Sequence, residues 1–433
     1  MPLTLHPLMK TSYLFSAVII IIILLLIDLY TFRGLQLLLQ GIQGRIIKIS
    51  VNIIYWAVTA IIISGILFIS FNPNNFRNPA FFTTYVMPLF GAVALFVLPK
   101  IIFVFFQMLN DLLQLSLYLI SKFTSVSNQS NAGGEIINRR IFLTQTGAIL
   151  AMIPFVSIAY GMIKGKYDFR ILKEKLFFEN LPAAFDGLRI VQISDIHIGS
   201  FGENYEAVKK GIDMVNSLEP DFIFFTGDLI NNFAKETEGW LPHLRELKAK
   251  NEKYSILGNH DYGDYVQWDS REEKQQNIQN VIDFHSKIGF RLLLNESVKI
   301  NRGGEEISLI GVENWGRPPF PKYGDLKKAM TGCEKYPFKI LLSHDPSHWD
   351  EEVLKKTSVD LTLSGHTHGM QFGVEVGSIK WSPVKFKYPR WGGLYSEGKQ
   401  FLYVNRGFGF IGFPGRVGMP PEITLIELKK GSV

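Results

Sequence analysis

The chain has 433 residues, more than one typical domain, so at least two parts are expected. Hydrophobic residues make up 47% and charged residues 19%, and the apolar excess sits in the first 165 residues, which excludes an ordinary soluble protein throughout. The net charge of +6 comes from 45 basic and 39 acidic residues with no basic block, which argues against nucleic-acid binding, and the single Cys333 excludes an internal disulfide or a cysteine-based zinc site.

Residues 13–31 contain the unbroken run from Val18 to Ile27. About 20 apolar residues cross a bilayer, so this stretch is predicted to be a transmembrane helix. A cleaved signal peptide is disfavoured, because more spans follow and no small-residue cleavage site does. Residues 34–48 carry Leu, Ile and Gln with Arg45 and Lys48, and are expected to lie in the interface. Residues 50–71, 80–99 and 101–121 read as spans two, three and four, with Pro99-Lys100 as the turn between the last two. Asn110 and Asp111 fall within span four. An intramembrane carboxylate is a functional hypothesis by default; the plainer expectation is that Asp111 faces other helices or sits near an interface. Residues 1–123 are thus read as a transmembrane region of about four spans.

Residues 124–137, rich in Ser, Asn and Gly, read as a flexible loop. Asn138-Arg139-Arg140-Ile141-Phe142-Leu143 then precedes an apolar stretch from Ala148 to Met162. This is either a twin-arginine export signal in an internal position or an ordinary span flanked by cytoplasmic arginines. Residues 124–166 are read as a linker plus a fifth span. Five spans put the N-terminus and the last part of the chain on opposite sides of a bacterial inner membrane. With Arg139 and Arg140 inside, the inner loops hold Lys10, Arg77, Lys122, Arg139 and Arg140, and the outer loops hold Arg33, Arg45, Lys48 and Lys100. Five against four places the last part outside the cytoplasm by one charge, while Lys164 and Lys166 pull toward the cytoplasmic face.

From Tyr167 onward the texture changes. Residues 204–218, 238–249 and 272–288 have helical apolar spacing, and 306–312, 401–404 and 422–428 read as strands. Alternation that later turns strand-rich predicts two packed sheets with helices outside over 167–433, an α+β arrangement.

Five apolar, strand-length runs in this part end in metal-ligating residue types. Leu188–Ser194 ends in Asp195-Ile196-His197, and 221–226 ends in Gly227-Asp228. Tyr254–Leu257 ends in Gly258-Asn259-His260-Asp261, and Phe338–Ser343 ends in His344-Asp345. Leu361-Thr362-Leu363-Ser364 ends in Gly365-His366-Thr367-His368-Gly369, where two imidazoles one residue apart can converge. In layered α/β folds, sites collect beyond the carboxyl ends of strands.

D-x-H, G-D, G-N-H-D, a lone H and G-H-x-H, in that order, resemble the calcineurin-like metallophosphoesterases over about residues 170–430. The resemblance implies a four-layer α-β-β-α sandwich and two divalent cations. One cation would take Asp195, His197 and His368, the other Asn259, His344 and His366, with Asp228 as the bridge. Mixed imidazole and carboxylate ligation suits Mn, Fe or Zn more than Mg. It further implies in-line attack of water on phosphorus, with His260 facing the phosphate and stabilising or protonating the leaving oxygen, and the adjacent Asp261 orienting the ring. His243, His285, His348 and His6 have no such context and are expected to be surface or packing residues. Gly258, Gly365 and Gly369 flank ligands at expected turns. Ser194 and Thr226 either bond to ligand carboxylates or simply pack at strand ends.

Two features bear on substrate. Arg406, after Asn405 at the end of a strand-like run, either pairs with phosphate or is a surface residue. Residues 407–415 alternate glycine with Phe408, Phe410 and Phe413; this loop either packs on the core or offers an apolar lip to a lipid chain. Trp381, Phe386, Tyr388 and Trp391, interleaved with Lys380, Lys385, Lys387 and Arg390, resemble an interfacial strip. The expected function is a membrane-anchored phosphodiesterase or pyrophosphatase whose partners are the lipid bilayer and a lipid-linked or cell-envelope phosphoester. By resemblance, UDP-2,3-diacylglucosamine of lipid A biosynthesis is one candidate, and it would favour a cytoplasmic active site. The alternatives are a non-catalytic metal-binding sensor module and a regulatory phosphatase attached to a transporter.

Overall fold

Long apolar helices come first and paired sheets follow. The computed structural model describes residues 7–73, 75, 78–123, 132–318, 320–377 and 379–432. His6, Arg77 and most of the expected flexible loop, residues 124–131, lie outside the described residues. One unit comprises Met1–Phe76 with Thr84–Tyr160, the other Arg77–Thr83 with Gly161–Val433.

The first unit holds helices α1 (Pro7–Gln40), α2 (Arg45–Phe71), α3 (Met87–Phe123) and α4 (Ala132–Ile163). Four stretches among the described residues are long and apolar enough to cross a membrane. Their outward residues are apolar too: Ile46, Ile61, Phe105 and Ile149 are all more than half exposed. A helix that is apolar all round suits lipid, not water.

Two expectations about this unit are corrected. Pro99-Lys100 is not a turn: Pro99 lies inside α3. Bilayer helices tolerate proline because neighbours re-satisfy the freed backbone groups. Lys100 is turned inward, with its Nζ 2.5 Å from Asp28 Oδ1. The predicted third and fourth spans are therefore one helix, and among the described residues four helices, not five, are long and apolar enough to cross. Residues 34–48 are likewise no separate interfacial element; α1 continues to Gln40 and the chain turns only at 41–44, beside Gly41 and Gly44. Asp111 accepts a 2.6 Å hydrogen bond from the Tyr30 hydroxyl, so it faces another helix.

The second unit contains two six-stranded sheets. The first runs in the order β1 (Arg170–Phe178), β14 (Glu422–Lys430), β2 (Arg189–Ile193), β3 (Phe222–Phe225), β4 (Lys253–Ser255), β5 (Phe290–Leu292). The second runs β12 (Gly393–Glu397), β13 (Gln400–Val404), β9 (Leu361–Ser364), β8 (Lys339–Leu342), β7 (Glu305–Gly311), β6 (Glu296–Arg302). A separate hairpin pairs β10 (Val374–Val376) with β11 (Ile379–Trp381).

Ile190, Phe224 and Tyr254 of the first sheet pack in one core with Leu309, Ile340 and Leu361 of the second. The opposite faces of the same strands are also buried, as Ile310, Leu341 and Leu402 are with Trp349. Strands buried on both faces read as continuous apolar runs, which is why the sequence shows them so plainly. Helix α5 (Tyr205–Ser217) is started by the Asn204 side chain, which accepts from Ala207 N, and it buries Val208, Ile212 and Val215. Helix α6 (Arg271–Lys287) is capped in the same way by Ser270. The helix expected over 238–249 shrinks to Leu241–Leu244: Gly239 at φ +81° excludes the earlier start, and Pro242 sits in the first turn, where its missing N–H costs nothing. The expected mixed α-β-β-α layering is met. Strands β2, β3 and β4 of one sheet and β8 and β9 of the other all deliver their ends to one place.

Candidate metal centre

Asp195 and His197 follow β2, Asp228 follows β3, Asn259 and His260 follow β4, His344 follows β8, and His366 and His368 follow β9. Two groups form. Asp195, His197 and His368 offer ligand atoms within 4.8 Å of one another, as do Asp228, His344 and His366. Asp228 joins the groups: its Oδ2 lies 3.5 Å from His197 Nε2 and 3.2 Å from His344 Nε2. Asn259 Oδ1 lies 2.7 Å from His366 Nδ1, so the amide belongs to the second group.

The backbone here is strained. Asp195, His197, Asp228, His366 and His368 all have φ between +48° and +74°. A side chain in the left-handed region costs roughly 1–2 kcal/mol, so five in one site mean strain that the surrounding sheets must hold. Gly365 permits the close approach: a Cβ there would stand 1.9 Å from Ser194 Oγ and 2.3 Å from Asp195 Oδ2.

The donor set fits a pair of divalent cations. His197 Nδ1 donates to Ile230 O at 3.1 Å and His344 Nδ1 donates to Thr226 O at 2.7 Å. Each carbonyl engages Nδ1, so Nε2 is the nitrogen turned toward Asp228 Oδ2. His366 turns Nδ1 to the site, 2.7 Å from Asn259 Oδ1, while its Nε2 is hydrogen-bonded with the Tyr388 hydroxyl at 2.7 Å. Lone pairs and carboxylate oxygens converging in a buried space are relieved by cations. Electrostatics point the same way. Burial opposes a charge on His344, yet Asp228 and Asp195 hold it up to about 10.

His260 Nδ1 donates to Asn231 O at 2.6 Å, and its ring stands edge-on to His197 at 5.0 Å. The expectation that Asp261 orients this ring is corrected. The Asp261 carboxylate instead accepts from the backbone N–H groups of Gly258, Asp228 and Leu229, each at 2.9 Å, and of Ile230 at 3.3 Å. It ties the loop after β3 to the loop after β4. Burial and then the Asp228 charge push its carboxyl up to about 7, against the pull of the Gly258 and Ile230 N–H groups. Ser194 Oγ has no hydrogen-bond partner, and the Thr226 hydroxyl accepts from Gln192 Nε2 at 3.1 Å, so neither holds a ligand carboxylate through its side chain.

The side chains of the expected substrate residues are engaged with other partners. Arg406 is 5% exposed and pairs with Glu422 at 3.1 Å and Glu375 at 3.2 Å. Asn405 braces its own turn, donating to Thr424 Oγ1 and accepting from Gly407 N. Phe408 and Phe410 are core residues rather than a lip: Phe408 packs on Phe169 at 4.5 Å and Phe410 on Phe201 at 5.1 Å. Phe413 is half-buried against Phe372. The glycines in this loop serve closeness, since a Cβ on Gly407 would meet Asp195 Cβ and His368 Nδ1 at 3.0 Å.

Sequence reasoning missed Arg416. It is fully buried and donates to the carbonyls of Arg406 (2.7 Å), Gly407 and Gly409, and it stands 3.1 Å from His368 Nδ1. Burial pulls its guanidinium down to about 9, with Asp195 opposing. The signal was present: it is the lone charge between Arg406 and Glu422. Tyr265 was missed too; its hydroxyl accepts from Asn259 Nδ2 at 2.7 Å.

Comparison with known proteins completes the picture. Residues 188–370 match the family model described as "Calcineurin-like phosphoesterase", and residues 11–166 match "Probable Calcineurin-like phosphoesterase, transmembrane domain". The chain is 33% identical over 260 residues to the uncharacterized metallophosphoesterase YkuE of Bacillus subtilis, covering 58% of this chain and 82% of that protein. It belongs to the calcineurin-like metallophosphoesterases. A second relative is a transmembrane protein with metallophosphoesterase domain from Danio rerio, 28% identical over 65% of this chain; the chain spans 62% of that protein's length. A third is the UDP-2,3-diacylglucosamine pyrophosphatase LpxG of Chlamydia trachomatis, 30% identical over 57% of this chain and 86% of that protein. Within the calcineurin-like family match fall all seven ligand candidates and His260.

Proposed function

We propose that this protein is a membrane-anchored, two-metal phosphoester hydrolase acting on a phosphodiester or pyrophosphate of a lipid-linked or cell-envelope compound. The observation that carries the reading is Asp228 standing between two groups of three donors. Asp195, His197 and His368 would hold one cation, Asn259, His344 and His366 the other, and Asp228 both. Cations so held would supply charge neutralisation at phosphorus and an activated water. The chain's own residues supply the rest. Ile230 O, Thr226 O and the Tyr388 hydroxyl fix which nitrogen each imidazole presents. Asn231 O holds His260 by Nδ1, leaving Nε2 as the ring nitrogen that passes a proton to the leaving oxygen.

The LpxG relative makes a nucleotide-lipid pyrophosphate such as UDP-2,3-diacylglucosamine the first substrate to try. The test is purification in detergent, metal analysis, and assay of a bis-aryl phosphodiester, a monoester and a nucleotide-lipid pyrophosphate, each with and without chelator. Hydrolysis that survives complete metal removal would refute the reading. Four crossings would return the chain to its starting side of the membrane. Lys10, Arg77, Lys164 and Lys166 would then flank that side and Arg33, Arg45, Lys48, Lys122, Arg139 and Arg140 the other, a distribution favouring an extracytoplasmic catalytic unit. Reporter fusions at both termini test this; a cytoplasmic signal from the C-terminal fusion would overturn it.

A further inference from the structure

The hairpin of β10 and β11 is built inside out. Val374 pairs with Trp381 and Val376 with Ile379, so these four apolar side chains share one face. That face points to solvent: they are 49%, 41%, 68% and 64% exposed. The charged pair Glu375 and Lys380 takes the other face, where Glu375 meets Arg406 and Lys380 donates to Gly392 O. Nearby in sequence, Phe386 is 81% exposed between Lys385 and Lys387. A sheet face in water normally carries its polar residues outward. An outward apolar face of this kind marks a surface that is covered in use.

The hairpin belongs to the excursion that leaves the last metal ligand and returns at β12. Ser382 Oγ donates to Gly369 O at 2.7 Å, Thr367 Oγ1 donates to Trp391 O at 2.6 Å, and Tyr388 holds His366. Inner residues of this one segment thus brace the ligands while outer residues present apolar surface.

We propose that the face made by Val374, Val376, Ile379, Trp381 and Phe386 docks into the interfacial layer of a lipid bilayer. Two observations choose lipid as the occupant. The same chain carries four helices of bilayer-spanning length and composition, so this face is tethered to a membrane. Its apolar residues are neighboured in sequence by the exposed Lys385 and Lys387, whose charge complements anionic headgroups, and a Trp sits among them, as interfacial surfaces have. If the proposed hydrolase reading also holds, docking would let an amphiphilic phosphoester reach the metals without leaving its leaflet.

The test uses the full chain, one copy per lipid nanodisc containing anionic phosphatidylglycerol. Val376→Cys takes an environment-sensitive fluorophore selectively, because the native Cys333 is buried. Asp283→Cys on α6, exposed, is the control site. The expected result is blue-shifted emission at position 376, quenched by lipids carrying a nitroxide high on the acyl chain, and water-like emission at 283. Equal quenching of both labels by aqueous iodide overturns the proposal. So does shielding at 376 that appears only when two chains share a disc, which would make the face a contact between copies. Neither readout requires turnover, so failure of the hydrolase reading is separately visible. For an active preparation, Val376→Asp with Ile379→Asp is expected to raise KM for a vesicle-embedded phosphodiester by about tenfold and leave kcat/KM for a soluble one unchanged. Equal effects on the two substrates, or none on the embedded one, also count against docking.

Discussion

The Nε2 atoms of His197 and His368 lie 3.1 Å apart, although one residue follows β2 and the other follows β9. These strands belong to different sheets. The centre therefore forms only when the two sheets are packed in register, through the shared core of Ile190, Phe224, Leu309 and Leu361. Core packing, ligand geometry and the strained left-handed turns are parts of one arrangement. No single strand end is a site.

Asp228 faces both halves, so its removal is expected to be the most damaging ligand change. Asp228→Asn keeps the shape and removes the charge that offsets cation repulsion. Metal content measured by mass spectrometry should fall below two per chain. Turnover should fall by roughly 10³-fold or more, equivalent to several kcal/mol of lost charge stabilisation. A fully active, fully loaded variant would show that Asp228 is no bridge.

His260 touches no other candidate ligand by hydrogen bond from its ring; it is held by Asn231 O. His260→Gln is expected to retain both metals while turnover falls about 10²–10⁴-fold, the usual worth of a positioned proton donor. The loss should shrink for substrates with an acidic leaving group such as nitrophenol, which need less protonation. An equal loss across leaving groups would assign His260 to phosphate binding instead.

The candidate ligands were legible because each ends an apolar run long enough to be a buried strand, and order along the chain supplied the rest. Apart from Tyr265, what escaped acts through backbone. Asn231 and Arg416 work through carbonyls, and Asp261 through four N–H groups; a carbonyl partner leaves no mark in side-chain spacing. Phe408 and Phe410 could not be told from a lip because alternation with glycine looks alike in a buried turn and on a rim. Pro99-Lys100 imitated a turn because the deciding partner, Asp28, is 72 residues away. The outward hairpin face was partly visible as aromatic and basic interleaving, but Tyr388 and Trp391, which looked equivalent, point inward.

The Tyr388 hydroxyl is hydrogen-bonded with His366 Nε2 and leaves Nδ1 facing the centre. Tyr388→Phe removes that partner with little change in volume. Metal affinity is expected to weaken by about 10–100-fold, as when other outer partners of ligands are lost. Chelator competition at fixed pH measures it. Unchanged affinity would mean the ring orientation is set elsewhere.

His285 gives a pH prediction independent of the metals. It is buried on α6, 2.9 Å from Ser255 Oγ and stacked on Phe225. Burial pulls it down to about 3. It is thus neutral when folded and charged when unfolded below about 6.5. Stability from this residue is present above pH 6.5 and is lost as pH falls toward 3, by up to about 1.4 kcal/mol per pH unit. His285→Phe should flatten the fall in melting temperature between pH 6.5 and 4. An unchanged slope would show that other groups dominate acid unfolding.

Asp28 and Lys100 form the one ion pair in the helical unit among the described residues, and both are largely buried. Asp28 Oδ2 also accepts from Thr59 Oγ1 at 2.5 Å, and its carbonyl accepts from the Tyr55 hydroxyl at 2.8 Å, so α1, α2 and α3 meet at this carboxylate. Removing one partner leaves an unpaired charge in an apolar setting, which costs about 3–5 kcal/mol in buried pairs. Asp28→Leu and Lys100→Met are each expected to lower the melting temperature in detergent markedly. The double variant should recover most of the loss, because the penalty lies in the orphaned charge rather than in the missing attraction. If the two losses simply add, the pair is solvated and the helices are held by packing alone. If the double variant is stable but loses hydrolysis of a membrane-embedded substrate while keeping a soluble one, the pair serves function rather than stability, as intramembrane charges often do.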